Sequence, residues 1–312
     1  MRTLKVLPLI AWAFAQVSVA LALPKDEAIK RFTDANRYYE AGHAAAADRD
    51  TDRAATQFDQ AAKEYESLLA DGYHNAQIFY NLGNSYYRLG QPGKAIANYL
   101  RAQALRPRDP AVAANLRQAR LLVEDKRITD EVPELVSLTF FWYFYLNLDE
   151  LLVVTLVSYL LLAAVLLTRI FVRKSAVRFS AIALGIVFGV LAISFAVKFR
   201  REVIVQRGVV TAKEVAVRYG NGAHYSVKFT VHEGAELVVE DERADEQKRP
   251  WVKATFLVAL KANSADDRAP SDRLTGWVPA EVAERLSARP QQQAKPPSPT
   301  PTASANPQGE SA

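Results

Sequence analysis

Few side chains in this 312-residue chain stand at spacings that support covalent chemistry. The four histidines, His43, His74, His224 and His232, show no metal-ligand spacing, and His232–Glu233 lacks the second histidine of a zincin helix. No phosphate-cradling GxxxxGK[ST], nucleophile-elbow GxSxG or dinucleotide GxGxxG pattern occurs. "YGNGAHYS" (219–226) contains a GxG, but it lies between two strand-like runs and reads as a hairpin turn. The carboxylates of "EDERADE" (240–246) read as a solvated charge run rather than an acid–base pair. The absence of cysteine removes disulfides, thiolate metal sites and cysteine nucleophiles. No constellation meets the minimum for a catalytic site, so neither an enzyme nor a bound cofactor or metal is expected. What remains is the chemistry of recognition, concentrated in the asparagine, tyrosine and arginine side chains of "FYNLGNSYYRLGQPGKAIANYLRAQALRPRDP" (79–110).

The elements that would position those side chains are helices. Residues 25–131 are rich in helix formers, with apolar residues at spacings of three and four. Phe79, Leu82, Gly83, Tyr86, Ala95, Tyr99, Ala102 and Pro107 fall on the large–small pattern of a tetratricopeptide repeat, best written over 76–109. Gly83 and Ala95 are small where two antiparallel helices touch, and Phe79, Tyr86 and Tyr99 fill the space on either side. A worn copy precedes it. Ala61 and Tyr65 stand 34 residues before Ala95 and Tyr99, whereas Phe32 and Tyr39 stand 47 before Phe79 and Tyr86. The surplus falls near 42–55, as a longer loop or as extended helix. A further helix beginning at Pro110 would cap the stack, close to the minimum for a stable solenoid. In this repeat geometry Tyr80, Asn84, Tyr87 and Arg88, with Asn115 from the next helix, lie on the concave side. Asn84 suits a peptide backbone, Arg88 a carboxylate, and the tyrosines suit stacking; the plain alternative is the polar side of a short solenoid.

The rest of the chain points to a membrane. "MRTLKVLPLIAWAFAQVSVALA" (1–22) has the basic start, apolar centre and small residues of a signal peptide, cleaved after Ala22 or Ala20, or retained as an anchor. "LTFFWYFYL" carries six consecutive aromatics, Phe140 to Tyr145, in an apolar run too short to span, so 133–148 reads as an interfacial segment. Two uncharged runs of spanning length follow, within 151–172 and 179–197. Between Glu150 and Glu202 there is no acid and there are seven basic residues, which exceeds the net +5 of the whole chain. The basicity therefore belongs to the flanks of apolar runs, and nucleic-acid binding is not expected. The basic linker 169–178 would face the cytoplasm and both flanking domains the outside. Ala181, Gly185 and Gly189 recur every four residues, for packing against the first span or for docking onto another membrane protein.

After Arg201 the pattern becomes short and alternating, with turn signals at Gly220–Gly222 and Glu233–Gly234: a small all-β domain of five to seven strands over 203–288. "VTAKEVAVR" (210–218), "VHEGAELVV" (231–239), "WVKA" (251–254) and "GWVPAEV" (276–282) resemble a bacterial-type SH3 barrel. Its most specific residues are Trp251, Gly276 and Trp277, the glycine permitting close approach. Charged insertions at 241–249 and 263–273 depart from a minimal version. Tyr219, Tyr225 and Trp251 are either contacts for peptidoglycan or barrel core. Residues 289–312, rich in Pro, Gln, Ser and Ala, have no core-forming composition and read as a disordered tail.

The expected class is an α+β multidomain membrane protein: a helical repeat solenoid, a two-helix transmembrane hairpin and an SH3-like barrel. In that order, and in "FYNLGNSYYRLGQPGKAIANYLRAQALRPRDP" followed by "AVAANLRQAR", the chain resembles the BatE family of tetratricopeptide-repeat proteins from aerotolerance (Bat) operons. The resemblance covers about 25–286 and is most specific at 79–120. It implies a non-enzymatic component of the bacterial inner membrane. Its protein partners would be von Willebrand factor A-type membrane proteins and a MoxR-like AAA+ ATPase, in a complex serving envelope integrity or stress tolerance.

Overall fold

The computed structural model describes residues 25–125, 133–258 and 274–286. The expected signal peptide, the tail, the 263–273 insertion and the end of the repeat region lie outside them.

Five helices come first: α1 (Lys25–Ala47), α2 (Thr51–Ala70), α3 (Ala76–Arg88), α4 (Pro92–Leu105) and α5 (Pro110–Leu121). Local chemistry sets their ends. Asp50, Asn75 and Asp109 accept backbone N–H bonds at the starts of α2, α3 and α5. Pro92 and Pro110 begin α4 and α5, where a missing N–H costs nothing. Gly72 and Gly90 end α2 and α3 at φ +91° and +68°, conformations that favour glycine. The surplus near 42–55 is extended helix. α1 runs to Ala47 and α2 starts at Thr51, so the first hairpin is simply longer than the second.

The two hairpins share one packing device. A Cβ on Gly83 would sit 2.7 Å from the Tyr99 ring, and one on Gly42 would sit 2.7 Å from the Phe58 ring. Each glycine lets an aromatic from the partner helix lie against bare backbone. Phe79, Leu82, Tyr86, Ala95, Tyr99 and Ala102 are all buried. Pro107 lies in the α4–α5 turn, half-buried.

Two short helices, α6 (Glu134–Thr139) and α7 (Phe141–Tyr145), precede the apolar pair α8 (Leu148–Phe171) and α9 (Ser175–Phe199). Asn147 and Glu150 form a capping box at the start of α8. Both apolar helices are long and apolar enough to cross a membrane, with most of their surface uncovered by the rest of the chain. Their charges differ at the two ends. Arg169, Arg173, Lys174 and Arg178 surround one end with no acid, while Asp149, Glu150 and Glu202 stand at the other beside Lys198, Arg200 and Arg201, with the helical unit and the sheet. A Cβ at Gly185 or Gly189 would meet nothing within 4 Å, whereas Ala181 is buried. A Cβ at either glycine would thus enter open space, so of the two expectations for this stripe the contact with α8 is not made at Gly185 and Gly189.

A one-turn π-helix (Arg200–Ile204) leads into a seven-stranded antiparallel sheet. Its strands are β1 (Arg207–Val210), β2 (Glu214–Arg218), β3 (Val227–His232), β4 (Glu236–Ala244), β5 (Pro250–Phe256), β6 (Leu274–Pro279) and β7 (Ala283–Arg285), in the order β3-β2-β6-β5-β4-β1-β7. Alternation puts Val215, Val217, Val231, Leu237, Val252, Phe256 and Val278 into one core. Gly276 is needed for close approach, since its Cβ would stand 2.3 Å from Val217 Cγ1. The insertion at 241–249 is a hairpin extension: β4 continues past a bulge after Val239 and pairs Ala244 with Pro250. Asp245 ties its turn, accepting from Gln247 N, Arg249 N and Trp251 Nε1. That carboxylate is structural.

The helical unit, which ends at Leu121, and the sheet, which begins at Arg207, share a core. Val209 of β1 and Leu286 pack with Ile96, Tyr99 and Leu116. The α4 start lies so close to β1 that a Cβ on Gly93 would be 2.5 Å from the Val210 carbonyl oxygen. Gln91 gives α4 no side-chain cap; Glu233 does so from the sheet, accepting from Gly93 N at 3.0 Å. Arg101 binds Glu284 and, at 2.6 Å, the Arg285 carbonyl. Arg120 donates twice to Glu236 Oε1, at 2.8 and 2.5 Å, and Arg207 stands 3.6 Å from its other oxygen. Asp125 accepts from His232 N at 2.5 Å.

Candidate partner-binding groove

Tyr80, Asn84, Tyr87 and Arg88 follow one face of α3 because their spacings of three, four and seven are those of a helix. Asn115 reaches the same place from α5. The structure brings all five around one concavity of about 210 Å³, together with Tyr39, Tyr99 and Gln118. Those last three were not legible as wall residues. Tyr39 shows in sequence only as a worn copy of Tyr86, and Tyr99 as a packing residue. Gln118 carried a usable signal, one turn beyond Asn115.

Hydrogen-bond polarity defines what the concavity offers. The Asn84 carbonyl oxygen accepts from Tyr99 OH at 2.7 Å and from Asn115 Nδ2 at 2.8 Å. The second Asn115 N–H goes to Tyr80 OH at 3.0 Å, so that hydroxyl acts as acceptor and its own proton points elsewhere. Asn84 Nδ2 donates to nothing among the described residues. Arg88 is exposed and forms no ion pair among them. The available groups are therefore the Asn84 amide N–H pair, the Tyr80 O–H and a guanidinium. Beside them the Gln118 amide and the Tyr87 hydroxyl, which both donate and accept, line the same concavity, so the donors are concentrated at Asn84, Tyr80 and Arg88 and favour a ligand that presents acceptors there.

Burial raises the Tyr39 hydroxyl pKa, with Arg88 opposing the shift. Burial lowers His43, and Arg88 lowers it further. Deeper in the stack, Tyr65 OH donates to Asn36 at 2.5 Å, and burial pushes its pKa up to about 12. Tyr86 and Tyr99 are raised by burial as well, Tyr86 also by its hydrogen bond to Glu66. A raised folded-state pKa means that the stabilisation is complete below the unfolded tyrosine value, near 10, and is lost as pH climbs past it. Expected behaviour is a stability plateau at neutral pH and loss of helical signal from about pH 10 to 12. Circular dichroism read beside tyrosinate absorbance at 295 nm checks this, and ionisation of every tyrosine before any helix melts would contradict it.

Elsewhere, Tyr219 and Tyr225 are exposed, and Lys228 stands 5.6 Å from the Tyr219 ring. Trp251 is buried, with its Nε1 on Asp245, and Trp277 is buried beneath Arg243. Trp251 is therefore core and not a surface contact. His232 and Glu233 both serve the contact between helices and sheet.

Residues 76–109 match the tetratricopeptide repeat family. The repeat is a protein-interaction module, typically without enzymatic activity, and it covers α3 and α4. The search of curated proteins returned no match.

Proposed function

We propose that this chain is a non-enzymatic, membrane-anchored adaptor whose groove between α1, α3 and α5 holds an acidic or C-terminal peptide segment of a protein partner. One observation carries the reading: the Asn84 amide N–H pair, the Tyr80 O–H and the Arg88 guanidinium, which meets Tyr39 but no carboxylate among the described residues, gather donors on one side of the groove. A carboxylate suits these donors, and the tyrosine faces suit the adjoining residues of an extended peptide. The sheet is read as a bacterial SH3-like domain that braces the repeats, supported by the close approach of Gly276 to Val217. A Bat-type envelope complex, with von Willebrand factor A-type and MoxR-like partners, is the proposed setting on the strength of the likeness at 79–120.

The test uses the full chain, because helices and sheet share a core. Detergent-solubilised protein is titrated with fluorescent peptides ending in a free acidic C-terminus and with the same peptides amidated. Asn84→Ala with Arg88→Ala is expected to weaken binding of the free acids at least tenfold, the scale of losing charge-assisted hydrogen bonds. Equal binding of acid and amide, or no effect of the double variant, would remove the groove assignment.

The anchoring part of the proposal places both apolar helices across the membrane with the 172–174 turn in the cytoplasm, supported by four basic residues and no acid around that turn against three acids and three basic residues at the opposite end. A reporter active only outside the cytoplasm should work when fused after Ala288 and be silent at Ser175. The reverse pattern would overturn the orientation.

A further inference from the structure

The aromatic segment does not lie apart from the apolar pair. α6 and α7 fold back over the last turns of α9, and Trp142 Nε1 donates to Ser194 Oγ at 3.2 Å. Lys198 pins the junction. Its Nζ, buried, donates to the carbonyls of Tyr143 at 2.9 Å and Leu146 at 2.7 Å, closing the end of α7. Between the two layers remains a cavity of about 260 Å³. Its walls are Val136, Phe140, Tyr143 and Phe144 on one side, Ile193 and Val197 on the other. Apart from Ser194, it is walled by apolar and aromatic side chains, which suit hydrocarbon.

We infer that this cavity is a binding site for one acyl chain of an anionic phospholipid. Two observations name the occupant. The cavity is continuous with the uncovered apolar surface of α9, since Ile193 and Val197 are wall residues that are also 67% and 52% exposed. A chain entering from the hydrocarbon therefore never leaves apolar surroundings. Above it, Arg200 and Arg201 follow Val197 by three and four residues, at the start of the π-turn that continues α9 about one turn beyond the groove, with Glu202 beside Arg201. Both are exposed. Lys198, already committed to backbone carbonyls, cannot serve a headgroup. The two arginines can, and a phosphate carrying net negative charge matches them. The inference rests on the proposed membrane insertion of α8 and α9.

The test separates the two. Full-length protein is first checked for membrane insertion by flotation and resistance to carbonate extraction. It is then released from nanodiscs of phosphatidylcholine with phosphatidylglycerol, and retained lipid is counted by native mass spectrometry. One phosphatidylglycerol per chain is expected, preferred over phosphatidylcholine by about tenfold, a factor within reach of two surface arginines. Ile193→Trp with Val197→Trp fills the cavity and should abolish retention of either lipid. Arg200→Gln with Arg201→Gln leaves the cavity intact and should erase the preference while lipid is still held. Inserted protein that retains phosphatidylglycerol equally in wild type and both variants would overturn the lipid site alone. Protein that fails flotation would overturn the insertion and the lipid site with it.

Discussion

Replacing Glu236 with alanine should lower the stability of the folded chain by about 3 kcal/mol, the scale for breaking a buried ion pair from one side. Glu236 is 3% exposed at the start of β4, between Arg120 of α5 and Arg207 of β1. Its removal leaves two guanidiniums facing a dry junction. Both retain some access to water, which holds the cost at the lower end of that range. Glu236→Gln keeps the shape and one acceptor, and should lose roughly half as much. Equilibrium denaturation of the detergent-solubilised chain measures both. A loss below about 1 kcal/mol for the alanine variant would class the pair with screened surface contacts and deny the latch a structural role. α4 is held from the sheet by Glu233 and Glu284, α5 by Glu236, and the segment after α5 by His232, so the sheet braces the helices that back the groove.

The second large effect belongs to Gly83. Its missing Cβ leaves room for the Tyr99 ring at 2.7 Å, and Tyr99 is 1% exposed with its hydroxyl on Asn84. Gly83→Leu should cost about 3 kcal/mol or more, since neither the ring nor the facing helix can retreat in a close-packed stack. Gly83→Ala should cost less, because helix propensity returns about 1 kcal/mol against the overpacking. A double-mutant cycle with Tyr99→Leu isolates the clash: the alanine penalty should vanish when the ring is gone. An unchanged penalty would show that the glycine serves something other than the ring. Displacing Tyr99 also withdraws the donor that orients Asn84, so peptide binding should fall with stability in this series.

Much of the helical unit was legible because its determinants are local. Asn75, Asp109, Pro92, Pro110 and Gly90 act within a few residues of the helix end that each one marks, and α3 and α4 repeat a pattern of periodic burial. The five groove residues came from the same periodicity, since a face of α3 is set by spacing alone. Tyr39 escaped because its counterpart in the better repeat, Tyr86, is a buried packing residue, so the likeness pointed to the core and not to the groove wall. The direction of Gly185 and Gly189 could not be read either. A stripe of small residues marks a face of a helix without saying what it meets, and here it meets open space.

The apolar pair, the hairpins and the alternating strands all follow from residue order, because hydrophobic period, length and turn chemistry are properties of short windows. The union of helices and sheet is of another kind. Gly93 meets Glu233 across 140 positions, Arg120 meets Glu236 across 116, and Arg101 meets Glu284 across 183. Each of these carboxylates has the composition of an ordinary surface charge, and only folding brings it opposite a cation or a bare helix end. Such pairing depends on where two surfaces distant in sequence come to rest against each other, and no local periodicity encodes that. So the chain's windows specify a repeat with a polar concave face, while the tertiary structure alone decides that this face is braced by a sheet and gathers donors on one side.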